Sequence, residues 1–298
     1  MNEFKKILVV RFSSVGDIVL ASPAVRLLRK RFPDAQIDFV TRTEYAELVR
    51  HNHNLNFTFE YDAATEFPGL KKLKRRIREE RYELIVDLHN SLRSRYLRSI
   101  RNAEIITIHK RVYERTMLVK FKKNLYSEIV PVSERYLEPL RAFAIQNDDR
   151  GLELHIPDEI LFDVSGKIAS LKLNRFEKVL GLCPFAKHFT KRWPFERYAA
   201  VAAEFIKKNQ GKVLVFGGAT DAVENSRLVE MVGKEAGPER ITSFVGEFSL
   251  LQTAAAMEFC DAVLTNDTGL MHVASAMKKP LVALFGSTVK EFGFFPPD

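Results

Sequence analysis

Asp17 closes a hydroxyl-bearing loop, Arg11-Phe12-Ser13-Ser14-Val15-Gly16-Asp17, that leaves the apolar run Ile7-Leu8-Val9-Val10. A carboxylate there can take a proton from an attacking hydroxyl held within hydrogen-bond reach, or it can cap the first turn of the following helix. Spacing alone supports both. The loop has neither the GxGxxG pattern of a dinucleotide site nor the lysine of a P-loop, which argues against NAD and against simple ATP hydrolysis.

A second loop, Pro184-Phe185-Ala186-Lys187-His188-Phe189-Thr190-Lys191-Arg192-Trp193-Pro194, packs three cations, a histidine and the single tryptophan between an apolar run and a helix. Cations at such a mouth can grip a diphosphate and neutralise the charge that grows on a leaving group. The alternative is a solvated basic turn. Lys191 is the functional candidate and Trp193 a core plug. A third segment, Phe216-Gly217-Gly218-Ala219, is a turn whose glycines would let a ligand approach the backbone. The fourth is Thr265-Asn266-Asp267-Thr268-Gly269-Leu270-Met271-His272, where a carboxylate, a hydroxyl and helix-opening N–H groups would converge on a phosphorylated or polyhydroxylated ligand. His272 either contacts that ligand or is buried and satisfied.

These segments need elements to hold them. Short apolar runs alternate with amphipathic stretches, the pattern of βα units on parallel sheets. Strands are expected at 5–12, 36–41, 84–88, 104–108, 179–183, 212–216, 262–265 and 281–285. Helices are expected at 23–32, with Ser22 as N-cap and Pro23 at the first position, and at 67–80, 134–144, 195–208, 222–234, 250–258 and 269–277. The alternation breaks between Asn147 and Arg175. The reading is therefore α/β, two facing Rossmann-like domains with a cleft between them, residues 1–160 and 161–298. Each chemical segment follows an apolar run, where open α/β sheets bind ligands.

Composition narrows the class. With 298 residues, 46% hydrophobic and 28% charged, the chain can bury a sizeable core and is not a disordered polypeptide. Cys183 and Cys260 form no CxxC or Cys/His cluster, so neither a disulfide scaffold nor a structural zinc site is expected, and a reducing cytoplasm is. The first apolar run is too short for a signal peptide or membrane span. The net charge of +8 is unevenly spread. Residues 1–150 hold 29 Lys and Arg against 20 Asp and Glu, whereas the remainder holds 17 against 18. A basic half beside a neutral one suggests a polyanionic partner for the first.

Taken together the segments resemble the family 9 glycosyltransferases, the ADP-heptose:lipopolysaccharide heptosyltransferases. The resemblance runs over nearly the whole chain and rests on Ser13 to Leu20 with Pro23 to Arg26, on Asp87-Leu88-His89-Asn90-Ser91-Leu92-Arg93-Ser94, on Lys191-Arg192-Trp193-Pro194, and on Asn266 to Ala274 leading to Phe285-Gly286-Ser287-Thr288. It implies a GT-B fold and an inverting, metal-independent transfer of a heptose from ADP-heptose to a lipid A-linked inner-core hydroxyl, with no cofactor beyond the nucleotide sugar. By resemblance Asp17 is the general base, Ser14 lies beside the donor, and Lys191 holds the diphosphate. Asp267 binds sugar hydroxyls, and Thr268, Gly269, Leu270 and His272 line the donor pocket. Residues 1–160 then take the acceptor and 161–298 the nucleotide sugar. Two departures stand out: Ala186-Lys187 replaces the small hydroxyl residues common in relatives, and the chain stops short of the helices that usually follow the Phe-Gly-Ser-Thr block, as a truncated second domain would.

The acceptor implied by the resemblance is polyanionic and membrane-embedded. Arg93 and Arg95 are placed for its phosphates or carboxylates, and residues 109–123 mix cations with Val112, Tyr113, Met117, Leu118, Val119 and Phe121, a composition suited to an anionic bilayer surface. The expected protein is a cytoplasmic monomer in peripheral contact with the inner membrane. The basic run Lys71 to Arg81 reads equally as a solvated helix face. Two other readings compete: a sugar-nucleotide epimerase of similar shape, and a nucleic-acid-binding module. The latter lacks a recognisable motif and has few aromatic residues among its cations, so no nucleic-acid partner is expected.

Overall fold

The computed structural model describes residues 3–100 and 102–296, and the chain divides into two compact units: Met1–His155 with Lys290–Asp298, and Ile156–Val289. The expected boundary at 160 falls inside a helix of the second unit. The final segment joins the first unit rather than the second because its backbone is bonded there: the Val132 N–H donates to the Gly293 carbonyl at 2.9 Å and Arg135 donates to the Glu291 carbonyl at 2.8 Å.

In the first unit the order is β1 (Lys6–Val10), α1 (Val15–Leu20), α2 (Ser22–Arg31), β2 (Gln36–Arg42), α3 (Glu47–Arg50), β3 (Phe57–Tyr61), α4 (Glu66–Glu80), β4 (Leu84–Asp87), α5 (Leu92–Arg98), β5 (Glu104–Thr107), α6 (Val112–Phe121) and α7 (Val132–Arg135). All strand pairs are parallel, in the order β3-β2-β1-β4-β5. Ile7 to Val10 are fully buried, as a central parallel strand covered on both faces requires. On α4, Leu70, Leu73 and Ile77 recur on one face and are buried, while Lys71, Lys72, Arg75, Arg76 and Arg78 are exposed, so this basic run is a solvated helix face.

The second unit comprises α8 (Asp158–Ala169), β6 (Val179–Cys183), α9 (Phe195–Asn209), β7 (Lys212–Val215), α10 (Ala222–Ala236), β8 (Ile241–Ser243), α11 (Leu250–Met257), β9 (Ala262–Asn266), α12 (Gly269–Ala276) and β10 (Leu281–Leu284). Its sheet is also wholly parallel, ordered β10-β9-β6-β7-β8. Counted from its own first strand, that is the topology of the first unit. Both are Rossmann-like open sheets.

The eight expected strands are all present, and two more complete the sheets. β3 and β8 are edge strands. Phe57-Thr58-Phe59-Glu60-Tyr61 alternates because one face is covered and the other is wet, and Ile241-Thr242-Ser243 is too short to show a pattern. The helix expected at 134–144 is instead the short α7 followed by a 3-10 segment at Glu138–Phe143, because Pro139 has no N–H and disfavours a helical residue before it. Ser22 is not an N-cap. A preceding helix, α1, runs up to it, and its hydroxyl accepts from the Glu153 N–H at 3.0 Å.

Candidate functional sites

In each sheet the strand order reverses beside the first strand, and it is at the carboxyl ends of the strands flanking such a point that open α/β sheets bind ligands. In the first unit the flanking strands are β1 and β4, which are directly paired, and their loops carry Asp17 and His89 to Arg95. In the second they are β6 and β9, also paired, and their loops carry Lys191 and Asp267 to Thr268. All four chemical segments except the glycine turn therefore leave strands at switch points.

Asp17 sits in the first turn of α1, three residues after Ser14, so its Oδ2 accepts the Ser14 N–H at 3.0 Å and the Ser14 hydroxyl at 3.0 Å. The carboxylate thus does cap the helix. Its other oxygen has a different role: Oδ1 lies 2.7 Å from Nη2 of Arg11 and accepts the Tyr136 hydroxyl at 3.2 Å. Arg11 also donates to the Ser13 carbonyl at 2.8 Å and the Leu88 carbonyl at 2.5 Å, and stacks over the Tyr136 ring, so it bridges the β1 and β4 loops. The Ser13–Ser14 peptide bond is cis. Burial would push the Asp17 carboxyl up, but the Arg11 charge and the Ser14 donors reverse this and hold it below the usual carboxylate range.

Behind this loop the β4 turn is built on Asp87, whose fully buried carboxylate accepts the N–H groups of His89 and Asn90 and pairs with Arg98 at 3.0 Å. Asn90 takes a left-handed conformation and its side chain donates to the Ile108 carbonyl. The turn presents His89 edge-on to Phe12. Burial, with the charges of Arg11 and Lys110, pushes the His89 pKa down to about 4, so the imidazole is neutral at physiological pH and its Nδ1 is buried with no partner in the protein. Burial and Arg11 also lower the Lys110 pKa. Of the two arginines singled out on this turn, Arg93 is exposed and contributes to depressing His89, and Arg95 is exposed with Nε 3.3 Å from the Asn90 side chain.

In the second unit Lys191 reaches from the β6 loop to the β9 loop, its Nζ 2.7 Å from Oδ2 of Asp267, a carboxylate whose side chain is 4% exposed. Asn266 clamps the same two loops: its amide donates to the Pro184 carbonyl at 2.6 Å and its Oδ1 accepts from the Trp193 backbone N–H and the Tyr198 hydroxyl. Trp193 packs edge-on against Tyr198 at the core's margin, as a plug would. Arg192 donates to the Ala186 carbonyl and pairs with Glu224, so it braces the loop from inside. Lys187 and His188 are exposed. Thr268 is the N-cap of α12, extended, with a buried Oγ1 that has no partner in the protein. Gly269 and Leu270 follow, half-buried, and His272 is buried one turn further in.

The two glycine-bearing turns have packing reasons. A Cβ at Gly217 would lie 2.6 Å from the Phe185 ring, and one at Gly286 would lie 2.2 Å from the Thr190 carbonyl oxygen. Gly286 is what lets the Phe-Gly-Ser-Thr block lie against the lysine loop, where the Ser287 N–H and hydroxyl bond Thr190. A Cβ at Gly218 would make only ordinary contact, 3.7 Å from the Asp221 carboxylate, which holds the Gly218 N–H at 2.9 Å.

Within the first unit the structure gathers Ser14 and Asp17, with Arg93 and Arg95 on the neighbouring turn. Within the second it gathers Lys191, Asp267, Thr268, Gly269, Leu270 and His272. Sequence reasoning missed Arg11, Tyr136, His89 and Lys110 as part of the first constellation. Arg11 carried a signal, being a charge at the end of an otherwise apolar strand. Tyr136 carried none, since its place depends on how the segment after α6 returns to β1. Among the described residues, no group of three or more His, Cys, Asp or Glu is arranged to hold a metal ion.

A model of the family "Glycosyltransferase family 9 (heptosyltransferase)" matches residues 70–297. Lipopolysaccharide heptosyltransferase 2 of Salmonella typhimurium is 29% identical over 96% of this chain and 84% of its own length. Among solved structures, a family 9 glycosyl transferase from Veillonella parvula superposes with a TM-score of 0.83 at 26% identity, covering 98% of this chain and 84% of its own. The Escherichia coli ADP-heptose lps heptosyltransferase II gives a TM-score of 0.75 at 28% identity, covering 98% and 87%.

Proposed function

Because the chain belongs to glycosyltransferase family 9, we propose that it is an inverting heptosyltransferase that moves a heptose from ADP-heptose to a hydroxyl of the lipopolysaccharide inner core. Asp17 takes the proton of the acceptor hydroxyl as its oxygen attacks the anomeric carbon from the face opposite the leaving group. The bond from that carbon to the phosphate oxygen breaks, and ADP departs with the electron pair. Lys191 faces the diphosphate and offsets the charge growing on it, in place of a metal ion. The unpartnered Thr268 hydroxyl and the N–H groups opening α12 complete the phosphate contacts, and Asp267 accepts from sugar hydroxyls. In this reading Ser14, exposed beside Asp17, is a donor-contacting residue of the first unit, and Gly269, Leu270 and His272 line the donor pocket of the second.

The observation that carries this reading is Asp17 itself: an ionised carboxylate at a switch point, held on one oxygen by the buried Arg11 and Tyr136 and bonded on the other by the exposed Ser14. The Arg11 charge and the Ser14 donors hold the carboxylate ionised, the protonation state from which a base starts. Arg93 and Arg95, both exposed on the turn after β4, and Lys110 supply positive charge for a phosphorylated or carboxylated acceptor.

We propose in addition that the same unit makes peripheral contact with an anionic membrane face. Among the described residues no helix is long and apolar enough to cross a membrane. Instead α6 has no buried residue, and Val112, Arg115 and Val119 share its outer face with Tyr113 and Lys120. Phe121, Lys122, Lys123 and Leu125, all exposed, continue the patch. Apolar side chains ringed by lysines suit the headgroup boundary of an anionic bilayer.

The test is transfer of labelled heptose from ADP-heptose to a purified lipid-linked inner-core acceptor, run beside UDP- and GDP-sugars and repeated with chelator. Acceptor-dependent product from the ADP sugar, undiminished by chelator, is expected. Sugar that is epimerised or hydrolysed without acceptor dependence would instead support an epimerase.

A further inference from the structure

An aspartate that caps a helix and serves as a base has to keep one oxygen available, and the packing around Asp17 separates its two oxygens. Oδ2 takes both its partners from Ser14, an exposed residue whose hydroxyl can rotate away. Oδ1 takes both of its partners from the interior. Arg11 is 8% exposed and fixed by three further contacts, to the Ser13 and Leu88 carbonyls and to the face of the Tyr136 ring. Tyr136 is 1% exposed and comes from the C-terminus of α7, where its N–H is held by the Val132 carbonyl. Four donors fill the four lone-pair sites of an ionised carboxylate, so a substrate hydroxyl can enter only by displacing one. The Ser14 hydroxyl is the mobile one.

We propose that Arg11 and Tyr136 are positioning residues for Asp17: they fix Oδ1 and the plane of the carboxylate from the buried side, and so assign Oδ2 as the oxygen that receives the acceptor proton when the acceptor hydroxyl takes the place of the Ser14 hydroxyl. This rests on Asp17 as the base. The titratable and charged groups that bear on Asp17 from the surrounding segments are Arg11 on the β1 loop, Tyr45 after β2, His89 on the β4 turn, Lys110 after β5 and Tyr136 after α7. Of these, only Arg11 and Tyr136 touch it.

The experiment combines a direct titration with kinetics. The Asp17 carboxylate, labelled with 13C, is titrated by NMR in the unaltered protein and in Tyr136→Phe, which removes the hydroxyl and keeps the ring. Loss of one hydrogen bond to a charged group should raise the Asp17 pKa by about one unit. The acidic limb of kcat should move up by the same amount, with KM for the nucleotide sugar unchanged. Arg11→Lys, which keeps a charge near Oδ1, should move both less than Arg11→Met does. If Arg11→Met does not fold, Tyr136→Phe and Arg11→Lys decide the matter. A folded Tyr136→Phe protein in which the Asp17 pKa stays put would overturn the assignment, and so would a shifted pKa that leaves the acidic limb in place. Absence of transfer by the unaltered protein would defeat the heptosyltransferase reading alone, because the titration still reports whether Arg11 and Tyr136 govern Asp17.

Discussion

Lys191 and Asp267, on the loops leaving β6 and β9, form an ion pair of 2.7 Å in which the carboxylate is almost wholly buried. A nucleotide diphosphate entering this site meets a lysine that already has a partner. The pair therefore ties donor binding to the stability of the second unit, through a single interaction.

Lys191→Ala should consequently do two things. It should weaken binding of the ADP sugar and slow transfer together, because a charge on the diphosphate acts in both ground and transition states. It should also destabilise the protein by about 1–3 kcal/mol, the buried-pair penalty reduced because Lys191 is partly exposed. Lys191→Ala combined with Asp267→Asn should recover most of the stability and none of the donor affinity. Chemical denaturation and calorimetric titration separate the two effects. A single variant of normal stability would mean that Asp267 does not depend on Lys191.

Gly286→Ala should disturb the lysine loop without touching a charged group. The new methyl would meet the Thr190 carbonyl at 2.2 Å, backbone against side chain, so the loop must move. A stability loss of about 1–3 kcal/mol and a weaker donor complex are expected. Unchanged donor affinity would show that the Phe-Gly-Ser-Thr block does not shape the site.

His89 sets a pH dependence of stability. Its pKa is about 4 in the folded protein against an ordinary value of 6.5, so between those limits the unfolded chain binds a proton that the folded one does not. Its stabilising contribution is complete above pH 6.5, declines as the pH falls toward 4 and declines no further below that. Denaturation midpoints at pH 7 and pH 4.5 should differ less in His89→Gln than in the parent. An equal difference in both would remove His89 from this role.

The α6 patch makes a prediction about lipid. Replacing Val119 and Phe121 with Ser and Lys120, Lys122 and Lys123 with Glu should weaken binding to phosphatidylglycerol-containing vesicles about tenfold or more. Turnover of a short soluble acceptor should be retained. Vesicle sedimentation that ignores these changes would place membrane contact elsewhere.

Much of this arrangement is legible in the sequence, for physical reasons that vary along the chain. Central parallel strands such as Ile7 to Val10 announce themselves because both faces are covered. The edge strands at Phe57–Tyr61 and Ile241–Ser243 do not. The two sheets share one topology with no visible sequence repeat, since a strand order constrains apolar pattern and not residue identity. Local constellations such as Ser14 with Asp17 follow from helix-start spacing. The Lys191–Asp267 pair and the Tyr136–Asp17 bond do not, because each depends on tertiary placement of segments distant in the chain. Asp17 itself shows that cap and candidate base need not be alternatives: Oδ1 is held from the interior, while the capping oxygen, Oδ2, keeps the Ser14 N–H and has as its other partner a hydroxyl on an exposed residue, which a substrate hydroxyl can replace.

Whether Asp17 accepts the acceptor proton is tested most directly by Asp17→Asn, assayed for heptose transfer alongside calorimetric binding of ADP-heptose. Donor affinity close to that of the parent is expected, with transfer lowered by about a hundredfold or more, the scale of losing a general base. Near-normal turnover in a folded Asp17→Asn protein would contradict that role.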